Sequence, residues 1–238
     1  MKAGLNESEF PLTSNVWHLK KFNIFDNFDK SELESITCIF QLTEFTKHEA
    51  IYLPCEPIRR IYFLINGKAK LSKIDENGKE LILDILKAGE IFGQLAFPEG
   101  HYSNTEVIAL ERCIIGHIRE KDFRNLMKKI PDLCLSTNKL IGTRLLKIEN
   151  RLEELLFRDV PCRLARLLLR LSDEYPHQIT CGLRLDLIVT QQELANLIGS
   201  TREMVSTTLN CFKRSGWIDI HSRYICLHDI QAIQNLAK

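Results

Sequence analysis

The sequence predicts an α+β chain: a β jelly roll behind a short helical lead-in, then a long helix, then a winged helix-turn-helix. Three observations predict it. Between about residues 45 and 118, short runs rich in Ile, Leu, Tyr and Phe are separated by turn signals. Between 119 and 157 the apolar spacing becomes helical. Between 190 and 216 two helix starts lie either side of a glycine. The expected division is 1–118, 119–158 and 159–238.

The lead-in comes first. Residues 13–44 scan as helical, with Leu33, Ile36 and Ile39 at helical spacing and a capping box expected from Ser31 and Glu34. In the β region the runs AIYLPCEP, RRIYFLINGKAKLSKI, KELILDILKAGEIFG and TEVIALERCIIGHI are punctuated by Asn66-Gly67, Asn77-Gly78 and Ala88-Gly89. Asn-Gly pairs suit type I′ turns, whose two central residues need positive φ. Many short, evenly spaced strands argue for an all-β barrel or jelly roll.

In the helical segment, Ile141, Leu145, Ile148, Leu152 and Leu155 step by 4, 3, 4 and 3. That is a heptad seam, and it predicts a helix that meets its twin in a homodimer. Leu140, Leu146 and Leu156 form a second apolar flank, expected to cover the chain's own barrel. Asp159 reads as an N-cap with Pro161 in the first turn of the next helix, VPCRLARLLLRLSDEY, and LRLDLIV reads as a strand.

The stretch TQQELANLIGSTREMVSTTLNCFKRSG contains two capping-box patterns, Thr190 with Glu193 and Ser200 with Glu203. With Gly199 between them, they specify two short helices joined by a tight turn. Leu194, Ala195, Ile198, Val205, Leu209 and Phe212 supply a shared core, and Ala195 must be small for the helices to cross closely. The second helix then presents Arg202, Glu203, Ser206, Thr207, Asn210 and Lys213 outward. An Arg can take guanine O6 and N7 as a bidentate pair, and a Glu can accept from cytosine N4. Helix N-termini and the hydroxyls of Thr190, Ser200 and Thr201 suit phosphates. WIDIHSRYICLHD adds a β-wing around His221, Ser222 and Arg223. The pattern points to double-stranded DNA.

Bulk properties set bounds on this reading. Net charge is +1, and residues 160–238 hold 9 basic and 7 acidic side chains, so DNA binding must rest on local charge. No signal peptide or membrane span is legible, which places the chain in the cytoplasm. The eight cysteines form no CxxC and no zinc spacing, and read as small, mostly buried thiols. No catalytic triad, paired-acid motif, P-loop or metal cluster argues for an enzyme.

On RIYFLINGKAKL, GEIFGQLAF, the long helix before FRDV, and TQQELANLIGSTREMVS, the chain resembles the Crp/Fnr family of transcription regulators from about residue 18 to its end. The resemblance implies a cyclic-nucleotide-binding-type jelly roll, a long dimerisation helix and a winged helix-turn-helix. It also implies a homodimer on a two-fold-related DNA site and contact with RNA polymerase, for which residues 172–182 read as an exposed loop. The pocket positions it implies are Gly93, Gln94, Leu95, Ser103, Asn104, Arg144, Ile148 and Glu149. Gln94 stands where nucleotide-binding members carry the ribose-binding Glu, and Ser103 and Asn104 stand where they carry the phosphate-binding Arg-Ser pair. Ile148 and Glu149 match the Thr-Ser pair that meets adenine. A buried phosphate without a cationic partner is costly, so cyclic AMP is not expected as effector. No Cys precedes Cys38 to hold an iron–sulfur cluster, and His101 and His117 are more simply hydrogen-bonded than haem ligands, so no cofactor is expected. Arg144 and Glu149 match an oxo-acid pair of the nitrogen-control branch, but read as an ordinary salt bridge between helices. Thr207 replaces an Arg shared by two branches, which predicts an altered half-site. A regulator gated by an unidentified small effector or by thiol redox state is the first alternative. A nucleotide-binding module acting on a protein partner is the second.

Overall fold

Strand β3 (Arg60–Asn66) shows how the first half is built. Side chains of a strand alternate between faces, so Ile61, Phe63 and Ile65 point one way and Tyr62 and Leu64 the other. All five are buried. Beneath the first face lies a core with Leu19, Phe22, Phe25, Leu33, Ile36 and Phe40 from the lead-in. Beneath the second lies a core with Leu86, Phe92, Val107 and Ile115. The structure is a computed structural model that describes residues 12–54, 59–93, 95, 104–179, 182–185, 189–221 and 224–238.

The other strands of this half are β1 (Gln41–Phe45), β2 (Ala50–Tyr52), β4 (Lys68–Ile74), β5 (Glu80–Lys87), β6 (Ile91–Gly93), β7 (Thr105–Ala109) and β8 (Cys113–Arg119). They form two four-stranded antiparallel sheets, ordered β1-β8-β3-β6 and β2-β7-β4-β5. This is the expected double-sheet jelly roll.

The lead-in differs from expectation. It holds α1 (Leu12–Leu19), a short 3-10 turn and α2 (Lys30–Thr37), but β1 begins at Gln41 inside the segment that scanned as helical. The capping box belongs to Asp29 and Glu32, two residues earlier than Ser31 and Glu34, and the Ser31 hydroxyl donates to Asp29. A carboxylate is already placed to take the Glu32 N–H, so the helix starts there.

Neither Asn-Gly pair makes a type I′ turn, because neither Asn has positive φ. Asn66 and Gly67 carry the chain from one sheet to the other. Asn77 and Gly78 close the β4–β5 hairpin, where the Asp75 side chain accepts from the Asn77 and Lys79 N–H groups and Gly78 alone is left-handed.

The segment 119–158 is two helices, α3 (Glu120–Lys129) and α4 (Pro131–Phe157), because Pro131 cannot continue the first. Leu133 and Thr137 are buried, and Leu140 packs on the core under β3. From Leu145 onward the apolar side chains of α4 are open: Leu145 is 55%, Ile148 65% and Leu152 55% exposed. The second flank therefore divides. Leu140 covers the roll as expected, whereas Leu146 and Leu156 are exposed within the chain.

The chain falls into two compact units, Met1–Leu146 and Lys147–Lys238. In the second, α5 (Val160–Glu174) is capped by the Asp159 side chain, which accepts from the Cys162 N–H, with Pro161 in the first turn. Then come β9 (Pro176–Ile179), β10 (Gly182–Leu185), α6 (Gln191–Ile198), α7 (Arg202–Arg214), β11 (Ile218–Ile220), β12 (Ile225–Leu227) and α8 (Ile230–Leu236). The sheet runs β11-β12-β10-β9. Of the stretch 172–182 expected as an exposed loop, 172–174 end α5 and 176–179 form β9, whereas 180 and 181 lie outside the described residues. Ser172 and Tyr175 are buried, and β9 follows at once. The closing helix α8, with Ile233 in the core, has no clear counterpart in the sequence pattern. Among the described residues no helix is long and apolar enough to cross a membrane.

Candidate nucleic-acid interface

Helices α6 and α7 form the turn that the sequence specifies. The Thr190 side chain accepts from the Glu193 N–H and Glu193 returns to the Thr190 backbone, completing a capping box. Gly199 ends α6 in the left-handed conformation, and the Gly199 and Ser200 N–H groups both donate to the Ala195 carbonyl. Only glycine takes that conformation freely, and a Cβ on Gly199 would also stand 3.0 Å from Leu155. Leu194, Ala195, Ile198, Val205, Leu209 and Phe212 are all buried, as expected of the shared core.

The second cap is not Ser200 with Glu203. Thr201 is the N-cap of α7, and its hydroxyl accepts from the Met204 N–H. The helix thus begins one residue later than the S-x-x-E spacing suggests, which leaves Glu203 free of a capping role.

The buried stripe of α7 is Val205, Thr208, Leu209 and Phe212. At 3.6 residues per turn, the opposite side centres on Glu203, Thr207, Asn210 and Arg214, all exposed. Arg202 and Lys213, also exposed, and half-buried Ser206 flank it on one edge. Met204 and Cys211 are exposed on the other. Arg214 and the Cys211 edge were not among the sequence-derived interface residues, although the same periodicity places them there. Two side chains are already engaged. The Thr207 hydroxyl donates to the Glu203 carbonyl, and Lys213 pairs with Asp219 of the wing at 3.2 Å. That pairing holds the Asp219 carboxyl below the usual range. His221 lies 3.6 Å from the same carboxylate and stacks on Tyr224. Ser222 and Arg223 lie outside the described residues.

Within the roll, Gln94 and Ser103 also lie outside the described residues. Gly93 ends β6, Leu95 packs against the core under β3, and Asn104 is exposed. Ile148 and Glu149 are both exposed on α4. Arg144 is half-buried and does not pair with Glu149. Burial disfavours its charge, whereas Glu90, Asp84 and Tyr52 around it favour the charge. These three residues come from β2, β5 and the turn before β6, so their meeting with α4 was not legible as a spacing. Tyr52, Tyr62 and Phe92 stack beside them. His117 is buried, receives a hydrogen bond from Arg60 on Nε2 and donates from Nδ1 to the Gln41 carbonyl. Arg can only donate, so this neutral tautomer is imposed, and neither nitrogen is left for a metal. His101 lies outside the described residues.

A winged helix with such a face, behind a jelly roll, defines a DNA-binding transcription regulator. Comparison with known proteins agrees. A model of the cyclic nucleotide-binding domain matches residues 42–130, and a model of the Crp-like helix-turn-helix domain matches residues 162–236. The global nitrogen regulator of Synechocystis sp. is 30% identical over 191 residues, covering 79% of this chain and 85% of that one. A CRP-like cAMP-activated global transcriptional regulator of Mycobacterium tuberculosis is 28% identical over 221 residues, covering 92% of this chain and 98% of that one. A solved structure of a CooA mutant from Carboxydothermus hydrogenoformans shares the fold with a TM-score of 0.74 at 22% identity, over 98% of each chain. The chain belongs to the Crp/Fnr family of transcription regulators, and it is not an enzyme.

Proposed function

We propose that the protein acts in the cytoplasm as a homodimer, reads a two-fold-related DNA site through α7, and works without cyclic AMP. The observation that carries the dimer is the open seam of Leu145, Ile148, Leu152 and Leu155 on α4. Four large apolar side chains at heptad spacing on one solvent-facing helix fit a twin helix. A two-fold dimer then sets half-sites about one helical turn of DNA apart. Contact with RNA polymerase belongs to the same reading, with no residues assigned to it.

Several features support independence from cyclic AMP. Gln94, Ser103 and Asn104 offer no cation for a phosphate. Ile148 and Glu149 offer an alkyl chain and an acid where adenine would need hydroxyls. Arg144 is already faced by Glu90 and Asp84. Calorimetry with cyclic AMP is expected to register no heat of binding, and low-micromolar binding would overturn this part. No haem, iron–sulfur cluster or other cofactor enters the reading. A small effector at the Tyr52–Arg144 group is one way to gate the roll; of the thiols, buried Cys113 is pushed up to about 11 by burial and resists forming a thiolate, whereas Cys38 and Cys211 are exposed.

Base reading is assigned to Arg202 and Glu203, and phosphate contact to Thr190, Ser200, Thr201 and Lys213. Binding-site selection on the wild type, Arg202→Ala and Thr207→Arg tests this. Arg202→Ala is expected to cost about 1–3 kcal/mol per half-site and relax one base. Thr207→Arg is expected to add a guanine preference. Three identical motifs would mean that α7 does not read bases.

A further inference from the structure

Outside the interface, the second unit gathers positive charge around one cavity. Its wall comes from the end of α4, from one face of α5 and from the C-terminal end of α6. Arg163, Arg166 and Arg170 lie along α5 at positions that share a helix face, and Arg151 and Glu154 face them from α4. Four guanidinium groups therefore line a cavity with one carboxylate.

These groups already hold backbone carbonyls. Arg151 donates to the Leu197 carbonyl at 2.8 Å, and Arg163 donates to the Ile198 carbonyl at 2.7 Å. Both bonds satisfy the open end of α6, where the helix dipole is negative. Arg166 donates through Nε to the Ala237 carbonyl and lies 3.4 Å from Glu154. The contacts of Arg163 and Arg166 leave donors over. Each guanidinium carries five N–H groups in a rigid fork. The Nε of Arg163 is buried with no hydrogen-bond partner, and a buried donor without a partner costs free energy. Arg170 is exposed and makes no hydrogen bond or ion pair with any described residue. Like charges collected at i, i+3 and i+7 repel, and a single Glu154 does not balance them.

We propose that this cavity is a binding site for an oxyanion of the phosphate type. A tetrahedral oxyanion accepts from several guanidinium forks at once, which is the interaction Arg geometry serves best. It would offset the repulsion along α5. It would also share Arg151 and Arg163 with the two carbonyls that end α6, directly before the turn into α7. Occupancy is therefore coupled to the helix that precedes the recognition helix. Neither the DNA reading nor the roll requires this site.

The test uses the full chain in a chloride buffer, with inorganic phosphate as the probe and chloride at matched ionic strength as the control. Arg170→Ala and Arg170→Glu are the variants, because Arg170 holds no described structural bond, and circular dichroism checks their fold. Phosphate is expected to raise the melting temperature in a saturable way that chloride does not match. Arg170→Ala is expected to weaken phosphate binding about tenfold, the effect of one charge-assisted hydrogen bond, and Arg170→Glu to abolish it. Equal effects of phosphate and chloride would overturn the proposal, as would wild-type phosphate binding in both variants. A second arm separates the sources of the oxyanion. Displacement of a non-specific duplex by phosphate, with weaker duplex binding in Arg170→Glu, identifies the DNA backbone. Phosphate binding that leaves duplex binding unchanged identifies a free phosphate compound. Both outcomes support the site, and neither depends on base reading by Arg202.

Discussion

The winged helix and the roll handle polar groups in opposite ways. On α7 the charged and hydroxyl side chains stand in solvent, above a floor of Val205, Leu209 and Phe212. In the roll Arg144 is drawn inward among Glu90, Asp84 and Tyr52, and Glu106 is buried, accepting from the Ser72 hydroxyl at 3.0 Å. The difference is one of desolvation. Exposed groups stay hydrated until a ligand arrives, and they can be exchanged at small cost to the fold. Groups inside the roll must be matched within the fold, because an unmatched buried charge or dipole is expensive. Substitution is therefore cheap on the open face of α7, whereas a change inside the roll needs several coordinated substitutions.

The strongest way to break this contrast is on α4, where a row of large apolar side chains faces solvent. Leu152→Glu would place two like charges against each other across a dimer seam, at a cost of about 3–5 kcal/mol. Sedimentation velocity at micromolar protein should then show monomer. An unchanged dimer would move the interface off this helix.

A change confined to the roll comes next. A Cβ on Gly116 would lie 1.9 Å from Cζ of Phe40, which is itself buried. Gly116→Ala should cost about 1–3 kcal/mol through overpacking. Hydrogen exchange should show lost protection in β1, β3 and β8 with α5, α6 and α7 unchanged. Equal loss in α7 would mean that the two units unfold as one.

The smallest effect concerns the edge of α7. Asp219→Asn frees Lys213 from its ion pair. Non-specific DNA binding should tighten slightly, and the salt slope should steepen by up to about 0.9, the contribution of one phosphate contact. A slope that does not change would show that Lys213 does not meet the backbone.

Local chemistry made the second unit easy to read. Thr190, Glu193 and Gly199 lie within one short stretch, and a cap or a turn depends on little else. Apart from α8 and the loop expected over 172–182, the miss there was a shift of one residue. Ser200 yielded the cap to Thr201, as Ser31 did to Asp29, because a neighbouring side chain was better placed to take the free N–H. The strands of the roll were legible as alternation, but their partners were not. Asn66 and Gly67 look like a hairpin turn and join two sheets, since pairing is decided by residues far away in sequence. Arg144 is the clearest case of that limit. The sequence pairs it with Glu149 as a salt bridge between helices, yet its surroundings come from β2, β5 and the turn before β6. The break at Pro131 divides a segment that scans as one helix, because the proline opens α4 as readily as it ends α3.

The pair of Lys213 and Asp219 bears on motion as well as affinity. A protein searching DNA releases one phosphate before it takes the next, and a bare ammonium must be rehydrated at each step. Here a carboxylate on the wing waits beside the lysine. Were Lys213 to meet the backbone as proposed, each release would be an exchange of partners rather than an escape into water. On that reading the wing would serve as a rest position for the charge.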